Sequence, residues 1–191
     1  MSGDRFSLLS PNAPLVFADG ASVYKKLSEE YVLHKKGYFI LAPSGAGKTY
    51  FVNNQKEKHW MDGDILWQSA FAHPDGQWWL KPLEVIVEID QRSDIITQQA
   101  KKLGFWVVGA SNNWLRPDAI VIPDWETHKS YVSSREDNNY DGGATSDRLE
   151  QVQNHIKWIL KWEEKGVPRF KSMKDAAAFI DKDYKKNNGS S

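Results

Sequence analysis

Short, uninterrupted apolar runs alternate along this chain with stretches whose apolar residues recur every three or four positions. Tyr38, Phe39, Ile40 and Leu41 form the first such run, the mark of a strand buried on both faces. Ahead of it, residues 21–36 read as a helix with Val23, Leu27, Tyr31 and Leu33 near one face and Gly37 as its stop. After an eight-residue segment rich in small residues, residues 50–55 predict a helix and residues 59–61 a second strand ending in Asp62-Gly63-Asp64. His73-Pro74-Asp75-Gly76 is a turn, and Val85 to Ile89 suits strand or helix equally. Ser93 reads as the N-cap of a helix carrying Ile95, Ile96, Ala100 and Leu103, with Gly104 as its stop. Residues 105–108 and 119–122 are two further buried strands, and a helix comes next over 126–134.

The polar, glycine-containing segment 135–146 reads as an exposed loop. Ser146 or Asp147 caps the next helix, whose buried stripe is Leu149, Val152, Ile156, Ile159 and Leu160 and whose end is marked by Gly166 and Pro168. Residues 167–170 make a last strand and residues 173–180 a last helix, while 1–20 form an irregular lead-in and 185–191 a disordered tail. Strand and helix in alternation predict an α/β fold built on a parallel sheet.

Composition narrows the class. The chain has 191 residues, 40% of them apolar, which suits one domain with one substantial core over 1–191. Twenty-five basic residues balance 25 acidic ones, so affinity for long phosphate backbones through bulk charge is disfavoured. The absence of cysteine excludes a disulfide scaffold, thiol catalysis and cysteine zinc sites. No apolar run reaches bilayer length and no secretory signal is visible, so a soluble, cytoplasmic protein with no membrane partner is expected.

The strongest chemical signal lies between the first strand and the helix after it. Gly45-Ala46-Gly47-Lys48-Thr49 matches the second half of the phosphate-loop pattern G-x-x-x-x-G-K-[ST], with Ala42 in the place of the first glycine. Glycines nearest a phosphate let backbone N–H groups turn inward, whereas the strand-exit position tolerates a small side chain. In that arrangement Ser44, Gly45, Ala46, Gly47, Lys48 and Thr49 bind ATP. Lys48 reaches the β- and γ-phosphates, Thr49 ligates Mg²⁺, and the helix N-terminus adds its positive dipole end. The plainer alternative is an ordinary strand-to-helix turn with a solvated lysine.

With Pro43-Ser44-Gly45-Ala46-Gly47-Lys48-Thr49, the chain resembles the P-loop small-kinase superfamily, which includes nucleoside monophosphate, shikimate, gluconate and polynucleotide kinases. The resemblance implies a three-layer sandwich around a central parallel sheet, the nucleoside monophosphate kinase-like P-loop fold. Asp62-Gly63-Asp64, 14 residues after Lys48, leaves room for one short helix and a return strand beside the first. Both carboxylates then lie at the carboxyl end of the sheet, where open α/β proteins bind ligands. In shikimate and gluconate kinases a similar acidic pair comes after the second strand. The resemblance implies Asp62 in the Mg²⁺ shell and Asp64 orienting an acceptor hydroxyl.

Gly63-Asp64-Ile65-Leu66 also resembles the monophosphate site of adenylate-type kinases. Asp62, and Trp67 where those enzymes carry an arginine, speak against a dianionic acceptor, which needs cationic clamps. Capping of the following helix is the structural alternative for either aspartate. Arg135 and Arg148 flank the lid-like loop 135–146 and are candidates for stabilising the transferring phosphoryl group. Arg92 and Arg116 are candidates for holding the acceptor, as is Ser111-Asn112-Asn113.

Of nine tryptophans, Trp60, Trp67, Trp78, Trp79 and Trp114 lie near the acceptor region, where stacking and simple packing are both available to them; Trp158 and Trp162 read as core. The five histidines show no metal-ligand spacing and receive no role. The sequence thus predicts a Mg²⁺–ATP kinase acting on a hydroxyl of a nucleoside, sugar or nucleic acid, a hydroxymethylated base in DNA included. The alternatives are a nucleoside monophosphate kinase and a non-catalytic ATP-binding switch.

Overall fold

A computed structural model describes residues 23–69, 81–109, 114–138 and 144–189. The expectations for 1–20, the turn at 73–76, Trp78, Trp79 and Ser111 to Asn113 fall outside the described residues.

Five parallel strands form the middle of the molecule: β1 (Tyr38–Leu41), β2 (Trp60–Asp62), β3 (Trp106–Gly109), β4 (Ala119–Val121) and β5 (Arg169–Phe170), in the order β2-β3-β1-β4-β5. The helices are α1 (Val23–Glu30), α2 (Lys48–Asn53), α3 (Gly63–Ser69), α4 (Leu83–Leu103), α5 (Trp125–Asp137), α6 (Leu149–Glu164) and α7 (Met173–Asn188).

Alternation along the strands sorts the core into two. Phe39, Leu41, Met61, Val107 and Ile120 pack on one face with Leu27, Ile96, Ala100, Ile159 and Trp162 from α1, α4 and α6. Tyr38, Ile40, Val108, Ala119 and Val121 pack on the other with Val52, Met173, Ala176 and Ile180 from α2 and α7. Successive strand residues point to opposite faces, so every buried run needs a helix layer on each side. The chain is accordingly an α/β protein with a parallel sheet flanked by helices.

Several expectations are corrected. β2 does not lie beside β1: β3 takes that place, with Tyr38 opposite Trp106 and Leu41 opposite Gly109, and β2 pairs with β3 at the sheet edge. All four residues of β3 are buried, whereas β2 ends in the half-buried Asp62, and a strand with a polar end is less costly at the edge. Val85 to Ile89 and Ser93 belong to one 21-residue helix that starts after Pro82. Ser93 is fully buried mid-helix and caps nothing. That helix does end at Gly104, which takes φ 100° and whose Cβ would strike the His34 carbonyl oxygen at 2.0 Å.

α1 stops at Glu30 instead of reaching residue 36, because the backbone beyond it finds other partners: Val32 N–H donates to Lys58 and His34 N–H to Gly104. α7 continues to Asn188, so the expected disordered tail is helical at least that far. Tyr184 and Asp183 on that extension receive the Lys35 amide and the Tyr38 hydroxyl. Trp162 is core, but Trp158 is 56% exposed, with Lys161 Nζ 4.0 Å above its ring. Among the described residues no helix is long and apolar enough to cross a membrane.

Candidate functional site

β1 is the central strand, and the loop leaving it sits at the carboxyl edge of the sheet between β3 and β4. Ala42 prolongs the ladder, its N–H donating to Gly109 at 2.9 Å, and is completely buried in the second core cluster. The position that departs from the phosphate-loop pattern is thus a packing position. Gly45 at φ 79° and Gly47 at φ 90° then turn the chain through the left-handed region, and Gly47 leads directly into α2. Alternating left-handed residues make a concavity of amides that suits an anion. Lys48 and Thr49 form the first turn of α2, two residues ahead of the expected helix start. Ala46 differs from the expectation in part, since its N–H donates to Pro43 at 3.3 Å.

Lys48 is 9% exposed and folds back on the loop, donating to the Pro43 carbonyl at 2.7 Å and the Ala42 carbonyl at 3.2 Å. Burial pushes its pKa down to about 8, opposed by Asp62 and Asp64 and assisted by Arg135. Lys48 thus lies within electrostatic reach of both carboxylates and of the α5 arginine.

Thr49 Oγ1 donates to Asp62 Oδ2 at 3.2 Å, and Asp62 Oδ1 accepts the Asp64 N–H at 3.0 Å. Asp62 therefore caps α3 with one oxygen and meets Thr49, at the start of α2, with the other. Gly63 permits this tight entry, because a Cβ there would sit 3.2 Å from the Val108 carbonyl oxygen. A hydroxyl and a carboxylate side by side next to an anion hollow are hard oxygen donors that fit Mg²⁺, an ion that takes one or two protein ligands and completes its shell with phosphate and water. Among the described residues no group of three or more His, Asp or Glu converges as a self-sufficient cage. Asp64 is exposed in the first turn of α3.

The remaining predicted residues scatter. Arg116 lies ahead of β4, at the opposite edge of the sheet, donating to the Lys165 carbonyl at 2.8 Å beside the start of β5. An acceptor-holding role there is at odds with that position, since its strand-preceding loop belongs to the amino end of a parallel sheet. Arg148 is exposed in a short 3-10 turn before α6, with Nε 4.0 Å from Asp147. Trp67 lies on α3 and Arg92 on α4, and their side chains fall outside what the structure describes.

One of the chain's histidines, given no role from sequence, lies at this locus. His128, fully buried on α5, places Nε2 at 2.7 Å from the Ser44 carbonyl oxygen. A carbonyl only accepts, so Nε2 carries the proton and Nδ1 is bare; Nδ1 is buried with no hydrogen-bond partner among the described residues. Burial lowers the His128 pKa, reinforced by the charges of Lys48 and Arg135 and opposed by the Ser44 carbonyl. His155 on α6 is lowered to about 4 by burial and then by Lys48 and His128.

His128, Tyr131, Val132 and Arg135 stand at i, i+3, i+4 and i+7 on α5, one helix face. A Cβ on Gly45 would meet Val132 at 2.7 Å and His128 at 3.4 Å, and one on Gly47 would come 4.0 Å from the Tyr131 ring. That spacing was the signal available in the sequence. The far arm of the lid-like segment is tied down as well: Ala144 N–H donates to Ser44 Oγ at 2.9 Å, and Ser146 N–H donates to Glu136 at 2.7 Å.

No family model and no curated protein matches this chain. One solved structure that it is similar to comes from the PezAT chromosomal toxin-antitoxin system of the human pathogen Streptococcus pneumoniae. The two are 15% identical, the match covers 87% of this chain and 75% of that one, and the TM-score is 0.35. A likeness that loose adds nothing to the site, which stands on its own geometry.

Proposed function

We propose that this chain is a P-loop phosphotransferase that moves the γ-phosphoryl group of ATP to an alcohol. The observation that carries the reading is the coincidence, at the end of the central strand, of a doubly left-handed glycine loop, a buried lysine and the Thr49–Asp62 pair.

In this reading the amides around Gly45 to Thr49 hold the β- and γ-phosphates, and Lys48 leaves its two carbonyl partners for phosphate oxygens. Thr49 and Asp62 hold Mg²⁺, which, when bound, offsets charge on the β- and γ-phosphates. Asp64 orients the acceptor hydroxyl and takes its proton as the oxygen attacks phosphorus. The bond from the γ-phosphorus to the β–γ bridging oxygen breaks, and ADP leaves with that electron pair. Arg135 supplies positive charge to the equatorial oxygens. The acceptor class is a hydroxyl on a nucleoside, sugar or nucleic acid, because two carboxylates repel an acceptor that is already a dianion.

Calorimetry with Mg²⁺–ATP, then transfer of γ-labelled phosphate to panels of nucleosides, sugars, hydroxymethylated DNA and nucleoside monophosphates, tests it. Label on an alcohol supports the reading. Label on monophosphates alone overturns the acceptor class, and no magnesium-dependent ATP uptake overturns the whole.

A further inference from the structure

Ser44 is held by both arms of the segment that leads from β4 into α6. Its carbonyl accepts the His128 Nε2–H at 2.7 Å from α5, and its hydroxyl accepts the Ala144 N–H at 2.9 Å from the returning arm. The carbonyl contact fixes more than Ser44. In a planar trans peptide the C=O of one residue and the N–H of the next point in opposite directions. With the Ser44 oxygen drawn towards α5, the Gly45 N–H is turned away from α5.

Gly45 is where this orientation is most easily lost, because glycine at φ 79° has low barriers to a different backbone setting. A flip of the 44–45 peptide would direct a carbonyl oxygen, with its partial negative charge, to where the amide had been. The loop has little of its own to prevent that: Ala46 N–H to Pro43 O, at 3.3 Å, is a long turn bond one peptide further on. Val132 fills the space at Gly45 that a side chain would need, so α5 also closes off the alternative of a bulkier, stiffer residue.

We infer that His128 is a positioning residue that locks the 44–45 peptide with its N–H facing the anion hollow, so that α5 preorganises the phosphate loop. The inference rests on the proposed phosphate-loop function and names what holds that loop ready. Arg135, two turns further along the same face of α5, then moves with the loop and not independently of it.

The test compares wild type with His128→Leu, which fills space but cannot donate, and His128→Gln, whose amide nitrogen stands where Nε2 stood. Dissociation constants for Mg²⁺–ATP and for inorganic tripolyphosphate are read by calorimetry, and melting temperatures by calorimetric scan. The tripolyphosphate constant should rise about tenfold in His128→Leu, the scale of one well-placed polar contact, and return to within about twofold of wild type in His128→Gln. Ile159→Ala, a core substitution on α6, lowers the melting temperature without that loss of affinity.

Should His128→Leu not fold, nitrogen NMR of the wild-type imidazoles reads the same claim: at about pH 8, where an imidazole is neutral, His128 must be the Nε2–H tautomer with Nδ1 bare. Wild-type protein that binds neither ligand overturns the phosphate-loop reading and this inference with it. Wild-type binding combined with unchanged affinity in a folded His128→Leu, or an Nδ1–H tautomer, overturns this inference alone.

Discussion

Lys48 sits under two opposed pressures, a low-dielectric surrounding that penalises its charge and carboxylates that favour it, and burial prevails. Its pKa in the folded chain is about 8 against an ordinary 10.5. The unfolded chain therefore holds the extra proton between those values, and this residue's contribution to stability rises with pH across that window. Below about pH 8 the penalty is fully present. A polyphosphate bound as proposed would reverse it by raising the pKa again. Tripolyphosphate binding at about pH 8.5 should accordingly take up protons, read as a dependence of calorimetric heat on buffer ionisation enthalpy. Lys48→Met should abolish that uptake and weaken binding by at least about tenfold.

The capping contact of Asp62 and the metal role proposed for it separate by substitution. Asparagine caps a helix as well as aspartate does, so Asp62→Asn should keep the melting temperature and lose Mg²⁺-dependent turnover, whereas Asp62→Ala should lose both, the cap being worth about 1 kcal/mol. Asp64→Asn should reduce kcat by about 10² to 10⁴ while leaving the ATP dissociation constant near wild type, measured by steady-state rates and calorimetry.

At the level of elements, two helices do more than local pattern suggests. α5 has no strong apolar stripe: its inward face mixes His128, Tyr131, Val132 and Arg135, so periodicity of hydrophobic residues could locate the helix but not reveal which face meets the loop. Hydrophobic periodicity ends α7 too early, because Ile180 is the last of its buried residues. The contacts that carry it further are polar and aromatic: Asp183 accepts the Tyr38 hydroxyl at 2.6 Å, and the Tyr184 ring stands edge-on to Trp106 at 5.4 Å and to His34 at 5.4 Å. Removing residues 181–191 should lower the melting temperature by several degrees, since a buried tyrosine and tryptophan would lose their cover. Retention of the full-length value in a thermal scan would show these contacts to be idle.

For the whole molecule, the order β2-β3-β1-β4-β5 puts the glycine loop after β1 at the centre of the carboxyl edge, the region where open α/β sheets hold ligands. Ligand at a hundred times its dissociation constant stabilises a folded chain by about 2.7 kcal/mol, which for a protein of this size is a rise of about 5 to 10 °C in melting temperature. Saturating Mg²⁺–ATP should produce that rise, and chelation of the metal should reverse most of it. A melting temperature indifferent to both would contradict binding at this site.

The α/β class, the four longer strands and the glycine turn from Gly45 into the next helix were legible along the chain, because a buried strand and a glycine turn are written in a few adjacent residues. Val85 to Ser93 was not, because a short apolar run reads alike as strand or helix until the sheet has claimed its members. Only tertiary packing decided that β3 separates β2 from β1, that Arg116 lies at the far edge, and that His128 meets Ser44 across 84 residues of sequence. Local preference extends a few residues along a chain; contacts at that separation depend on how two helix layers close over a sheet, and no single segment encodes that.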